Sequence, residues 1–253
     1  MTRTLLIDGD IVNYQICAAN EQDLRFDSDF HVLYSDGLLC AEQSINYIEG
    51  LKSHLDADKI IVVLSDDTEN FRKDFHPEYK ANRKGTRKPL AFKAVREALR
   101  KEYKALTEAK LETDDILTLL SSDDRLKGEK IIVSIDKDFE QCSGYLYNPS
   151  KDRHSGPRFI KPEQADLFLY RQVLIGDRTD NYFGCPNVGE VKAKNLIKAG
   201  KSRREWWDAI VTAYKKEGFD EAYALNQARC ARLLRAGEWD KQKREVKLWE
   251  PWR

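Results

Sequence analysis

Cysteine is sparse and scattered in this chain: Cys17, Cys40, Cys142, Cys185 and Cys230 form an odd set with no CxxC pair. That spacing argues against a disulfide framework or a structural zinc site, and for a reducing compartment. Long apolar runs are missing as well. No segment approaches the roughly 20 apolar residues of a membrane span, and no basic n-region precedes an apolar h-region, so a soluble, cytoplasmic protein is expected. Histidine offers little: His31, His54, His76 and His154 have no evident serine or cysteine partner, and no protein nucleophile is indicated. Net charge is absent, 43 basic residues balancing 43 acidic ones, so the total announces no partner. There is no internal repeat or low-complexity segment. A hydrophobic content of 41% is nonetheless enough for a proper core, in one large domain or two small ones.

What the chain does have is acid in particular places. Asp8 ends the apolar run TLLID, Asp66 ends IIVVLSD and Asp136 ends KIIVSID. These runs read as buried strands. Helical spacing is predicted over residues 11–19, 43–55, 91–106 and 114–120. Asp36-Gly37, between residues 32–34 and 38–39, gives a hairpin signal, and residues 109–111 read as a short strand. The alternation predicts an α/β domain with a mostly parallel central sheet flanked by helices, over residues 1–160. Beyond Pro162 the pattern turns helical, from residues 164–175 onward with no convincing strand. The stretch from Arg203 holds Trp206, Trp207, Trp239, Trp249 and Trp252, all five tryptophans, read as aromatic anchors between helices.

In an open parallel sheet the carboxyl ends of the strands converge on one crevice, where ligands bind. Nine acids stand at or just beyond such ends: Asp8, Asp66, Glu112, Asp114, Asp115, Asp136, Asp138, Asp177 and Asp180. Carboxylates gathered in one crevice repel one another unless cations neutralise them. Hard oxygen ligands suit Mg²⁺ or Mn²⁺, and a pair of such ions is a recurrent device for cleaving phosphodiesters. Helix capping would account for one or two acids in Glu112-Thr113-Asp114-Asp115 or in Asp136-Lys137-Asp138. The whole set in one α/β chain points to a metal-dependent nuclease.

The basic residues are concentrated where such an enzyme would need them. Between Arg72 and Lys104 twelve basic residues stand against four acidic ones, a distribution suited to a polyanionic substrate. Within it, Arg72, Lys80, Arg83 and Lys84 are candidate phosphate contacts, and Tyr79 is a candidate for stacking on a base. A second nucleic-acid segment is Gly184-Cys185-Pro186-Asn187-Val188-Gly189, whose glycines would let the backbone approach a phosphate. Lys192 and Lys194 follow it and favour phosphate contact over an ordinary helix connection.

The ordered motifs LIDGD, SDD, FRKDFHPEYKANR, ETDD, SIDKD, GDRTDN and GCPNVGEVKAKNL resemble the 5′ nuclease family, with similarity from about Leu5 to Leu196. That family includes flap endonucleases, the 5′→3′ exonuclease domain of bacterial DNA polymerase I, and short bacteriophage exonucleases that also degrade RNA in hybrids. The resemblance implies a PIN-like (Rossmann-like) domain followed by a helical region over residues 161–253, with a helix–hairpin–helix at about 180–200. It implies that Asp8, Asp66, Glu112, Asp114 and Asp115 surround one Mg²⁺, with Asp136, Asp138, Asp177 and Asp180 serving a second. Lys80 and Arg83 would match the basic pair at an arch or gateway over about residues 72–106, short here, through which a 5′ strand passes. The hairpin at Gly184–Gly189 would grip duplex DNA, in the family often with a K⁺ ion. The expected activity is hydrolysis of DNA at 5′ ends, flaps or nicks, and of RNA–DNA hybrids, to 5′-phosphate products in replication or DNA degradation. A monomer acting in the cytoplasm, a host's if phage-encoded, is expected. Asp10 and Asp67 depart from the family pattern, as outer-sphere or surface groups.

Two rivals use fewer of these residues. LLIDGD also resembles the motif of aspartyl-phosphate phosphatases, with Asp8 as nucleophile and Asp10 as acid/base, but it leaves the PEYKANR, ETDD and glycine-hairpin motifs unexplained. A non-catalytic structure-specific DNA-binding protein would leave the complete acidic set without a purpose.

Overall fold

A computed structural model describes residues 2–251. Strand β1 (Arg3–Asp8) runs straight into helix α1 (Gly9–Ala19). Gly9 is required at that junction, because a Cβ there would meet the Val63 carbonyl oxygen at 2.6 Å. A two-stranded ribbon follows, β2 (Gln22–Arg25) antiparallel to β3 (His31–Tyr34). Then come α2 (Gly37–His54), β4 (Lys59–Val63), α3 (Phe92–Tyr103), α4 (Thr113–Ser122) and β5 (Glu129–Val133). Two short strands, β6 (Gly144–Tyr147) and β7 (Arg158–Ile160), complete the sheet. Its order is β4-β1-β5-β6-β7, parallel except for β7.

Both faces of this sheet are covered, as a parallel sheet requires. Alternate residues of β1 point to opposite sides. Leu5 and Ile7 join Val12, Ile48, Val95 and Leu99 under α1, α2 and α3. Leu6 joins Leu111, Ile116, Leu117 and Ile132 under α4. The second face is also covered by Leu233, Leu234 and Trp239 from far along the chain. A third core is helical and joins α5 (Pro162–Ile175), α6 (Glu190–Leu196), α7 (Arg203–Lys216) and α8 (Glu221–Ala231) through Leu169, Val173, Ile210 and Ala228. A small hairpin, β8 (Trp239–Asp240) with β9 (Glu245–Val246), ends the regular structure.

Several local expectations are corrected. Asp36-Gly37 is not a hairpin turn; the Asp36 carboxylate caps α2, accepting from the Leu38 and Leu39 amides at 2.9 and 3.1 Å. The hairpin turn lies earlier, at residues 26–30. Residues 109–111 are not a strand; it is Leu106 that bridges to Val63. Strands β6 and β7 went unforeseen. Trp206 and Trp207 are buried anchors, as expected, and Trp249 packs against the same core. Trp252 lies outside the described residues.

Residues 72–106, where an arch is expected, take another course. Phe71–Asp74 and Ala81–Arg83 form single 3₁₀ turns. Residues 84–91 run as an irregular strap with turns at 84–85 and 90–91, and α3 packs its apolar face into the core between α1 and α2.

Candidate active site

The carboxyl ends of β1, β4 and β5 lie side by side, and the cleft above them, about 380 Å³, is lined by acid. Asp8, Glu112, Asp114, Asp136, Asp138, Asp177 and Asp180 all face it, seven of the nine expected carboxylates. Asp8 comes from the tip of β1, where its carboxylate also caps α1 by accepting from the Ile11 amide at 3.0 Å. Ser134, just past β5, donates to its other oxygen at 2.9 Å. Glu112 and Asp114 come from the start of α4. Asp136 and Asp138 follow β5, with the Asp138 amide donating to Asp136 at 2.8 Å. Asp177 and Asp180 sit on the loop after α5.

That loop is held by two glycines. Gly176 and Gly184 both have positive φ, and a Cβ on Gly184 would meet the Gly176 nitrogen at 2.4 Å. Between them the Asp177 and Tyr182 backbones pair at 2.7 and 3.1 Å. The loop is stitched to the turn bearing the basic pair. The Lys80 amide donates to the Asp180 carbonyl at 2.9 Å, and the Asn82 side chain donates to the Arg178 carbonyl at 2.9 Å. Lys80 has φ +56°, a left-handed backbone uncommon outside glycine and costly for a lysine.

Electrostatics divides the cleft in two. On one side, cations are in place: Lys80 pairs with Glu112 and, at 3.5 Å, with Asp180; Arg83 pairs with Asp180; Lys137 reaches Asp177 at 3.1 Å. Burial alone would raise the Glu112 carboxyl, but Lys80 and Arg72 overrule it and hold it at about 2. On the other side, Asp8, Asp114, Asp136 and Asp138 take part in no ion pair among the described residues. Burial, with Asp10 nearby, pushes Asp8 up to about 7. Asp138 rises to about 7 through burial and its neighbour Asp136. Burial, then Asp8 and Asp136, push Asp114 well above the usual range. These carboxylates lack positive charge, and a divalent cation is the group their chemistry fits. Among the described residues no three His, Cys, Asp or Glu side chains are already closed into a ligand cage.

Two expected ligands are elsewhere. Asp66 faces away from the cleft: it accepts from the Thr68 amide at 2.9 Å and the Lys110 amide at 2.8 Å, tying the loop after β4 to the approach to α4. Asp115 is fully buried in a two-pronged pair with Arg72, at 2.7 and 2.8 Å. Arg72 is correspondingly not a DNA contact. Its guanidinium is buried, and it also donates to the carbonyls of Cys230 and Arg232 at 3.0 and 2.9 Å. Tyr79 offers no ring face to a base, being 3% exposed. Its hydroxyl instead stands 3.0 Å from both Glu112 and Asp180.

The glycine hairpin is also used differently from expectation. The Gly184 amide is buried and donates to Gln227 at 2.9 Å, and the Val188 amide donates to the Cys185 carbonyl at 3.2 Å. Neither is free for a phosphate. Asn187, Gly189, Lys192 and Lys194 are exposed, as is Lys84.

Sequence reasoning missed two contributors, Lys137 and Gln172, and left Asp10 open as an outer-sphere or surface group. Asp10 lines the cleft but is saturated, by Arg96 at 2.7 Å, the Ser65 amide at 2.8 Å and Thr113 at 2.7 Å. Lys137, between two of the acids, was a visible signal left unread. Gln172 donates to Asp138 at 2.9 Å and to the Tyr182 hydroxyl at 2.9 Å. Asp8 is 2% exposed and accepts one hydrogen bond through each oxygen, from the Ile11 amide and the Ser134 hydroxyl.

Comparison with known proteins gives the family and the fold. The family model for the 5′-3′ exonuclease N-terminal resolvase-like domain matches residues 3–155. An exodeoxyribonuclease of Enterobacteria phage T3 is 28% identical across 98% of this chain and 92% of its own length. Flap endonuclease Xni of Shewanella oneidensis is 27% identical across 69% of this chain and 70% of its own. The solved structure of T5 5′-exonuclease with bound zinc superposes with a TM-score of 0.69 at 16% identity, covering 90% of this chain and 89% of that one. At that identity the likeness speaks for the fold.

Proposed function

Because the chain belongs to the 5′-3′ exonuclease family, we propose that it hydrolyses phosphodiester bonds of DNA at 5′ ends, nicks and flaps, leaving 5′ phosphates. One observation carries the reading: four cation-free carboxylates at the carboxyl ends of a parallel sheet face the Lys80 and Arg83 pair across one cleft. Asp8, Glu112 and Asp114 would hold one divalent ion, and Asp136, Asp138, Asp177 and Asp180 a second, with Mg²⁺ as the natural ion and Mn²⁺ a substitute. When bound, such ions activate water and neutralise charge on the phosphoryl group.

The chain's own residues do the rest. Ser134 and Gln172 fix the orientation of Asp8 and Asp138. Lys80 and Arg83 can release their carboxylates to cations and turn to the phosphoryl oxygens, where charge develops. The Tyr79 hydroxyl keeps Glu112 and Asp180 in register. Lys84, Lys192 and Lys194 contact duplex phosphates, which position without reading sequence. A K⁺ ion at the hairpin, RNA–DNA hybrids as further substrates, and a monomer working in the cytoplasm belong to the same reading. No helix among the described residues is long and apolar enough to cross a membrane.

The test is digestion of 5′-labelled flap, nicked, blunt and RNA–DNA substrates, with Mg²⁺ and with chelator. Mg²⁺-dependent products bearing 5′ phosphates, lost in Asp138→Asn while duplex binding persists, are expected. Duplex binding without any Mg²⁺-dependent product would overturn the reading.

A further inference from the structure

We infer that this enzyme admits its single strand from the side, and therefore cuts 5′ tails whose end is blocked and strands that have no end at all. The inference rests on the nuclease reading above and narrows its substrate class.

The observation behind it is what surrounds the basic pair. Residues 84–111 contribute no side chain to the lining of the cleft among the described residues; its walls come from the strand tips, the start of α4, the turn at Lys80 and the loop at Asp177–Asp180. The strap that follows Arg83 is fastened to the body instead. Arg87 pairs with Glu21 at 2.9 Å, the Leu90 amide donates to Glu21 at 2.8 Å, and Lys88 reaches Asp67 at 3.1 Å. From Arg83 to the first fastening is four residues, about 14 Å when fully extended, too short to rise over a polynucleotide strand and return.

The next segment cannot serve as a cover either. In α3, Val95 and Leu99 are fully buried, the Phe92 carbonyl accepts from Asn13 at 3.0 Å, and Arg96 is anchored on Asp10 at 2.7 Å. Lifting the helix would expose its apolar face and strip Asp10 of its cation. The remaining link is pinned at Leu106, which pairs with Val62 and Leu64, and at Lys110, whose amide donates to Asp66. A closed ring of polypeptide demands that a free end be passed through it. An open-sided cleft does not.

Three substrates decide the matter under single-turnover conditions with Mg²⁺: a flap with a free 5′ end, the same flap carrying 5′-biotin bound by streptavidin before enzyme is added, and a single-stranded bubble within a covalently closed duplex. The blocked flap should be cut within about threefold of the free one, and the bubble should be cut measurably. A free flap that is cut while the blocked flap slows by about 10²-fold or more, with the bubble intact, overturns lateral entry and leaves the nuclease reading standing. If the free flap itself survives with Mg²⁺ present, the nuclease reading fails and lateral entry falls with it.

Discussion

Asp115→Asn separates a structural carboxylate from a metal ligand. Asp115 stands beside Asp114 in the sequence, yet its two oxygens accept from Arg72 at 2.7 and 2.8 Å with no exposure to water. The substitution keeps the shape and removes the charge, leaving a buried guanidinium short of its main partner. Losing one member of a buried pair costs about 3–5 kcal/mol. Arg72 retains Glu112 at 3.3 Å and two carbonyls, so the lower part of that range is expected, about 3 kcal/mol. For a chain of this size each kcal/mol moves the midpoint by about 2–4 °C, giving a fall of roughly 6–12 °C. Urea and thermal unfolding in chelator measure it. Calorimetric titration with Mg²⁺, at a temperature where the variant is folded, should find affinity close to that of the unaltered protein. A variant of unchanged stability that no longer binds Mg²⁺ would make Asp115 a ligand and refute the assignment.

Metal-free stability should fall as pH rises through the window from about 4 to 7. Asp8 and Asp138 both titrate near 7 when folded, well above an ordinary Asp, so the folded state holds more protons than the unfolded one in that window. Chemical denaturation across pH should show the decline, and Asp8→Asn should flatten it. Lys80→Ala should slow single-turnover cleavage by about 10²-fold, as for loss of one electrostatic stabiliser. Quench-flow rates check this. Gly184→Ala should destabilise by about 2–4 kcal/mol, since φ is +67° and the new methyl would meet the Gly176 backbone at 2.4 Å. Urea unfolding gives the value, and cleavage should fall with it because Asp177 and Asp180 ride on that loop. Replacing Lys192 and Lys194 together with Gln should weaken duplex binding uniformly and lower the slope of log affinity against log salt by roughly 2. Fluorescence anisotropy at several salt concentrations reads both.

The central strands and the acids at the end of β1 and following β5 were legible because both are local, whereas Asp66, three residues past the end of β4, turns away. An apolar run fixes a buried strand, and the residue that ends it must emerge at one edge of the sheet. Direction within a helix was not legible from the motif. Consecutive helical residues point about 100° apart, so in Glu112-Thr113-Asp114-Asp115 one Asp faces the cleft and its neighbour faces the core. Asp115 and Arg72 pair 43 positions apart, the carbonyls that also seat Arg72 lie at residues 230 and 232, and no spacing rule connects them. Tyr79 follows the same logic: a Tyr among basic residues suggested stacking, while long-range burial made its hydroxyl a tether between two carboxylates. The strand pair β6 and β7 escaped because each is three or four residues long. Asp36-Gly37 misled because a short polar pair signals a turn and a helix cap equally well.

The seating of Arg72 on the Cys230 and Arg232 carbonyls has a consequence for biosynthesis. During translation the sheet and its acids emerge first, but the guanidinium beneath them cannot complete its contacts until residues 230–232 leave the ribosome. A nascent chain therefore acquires its finished cleft late, after nearly all of its helices exist.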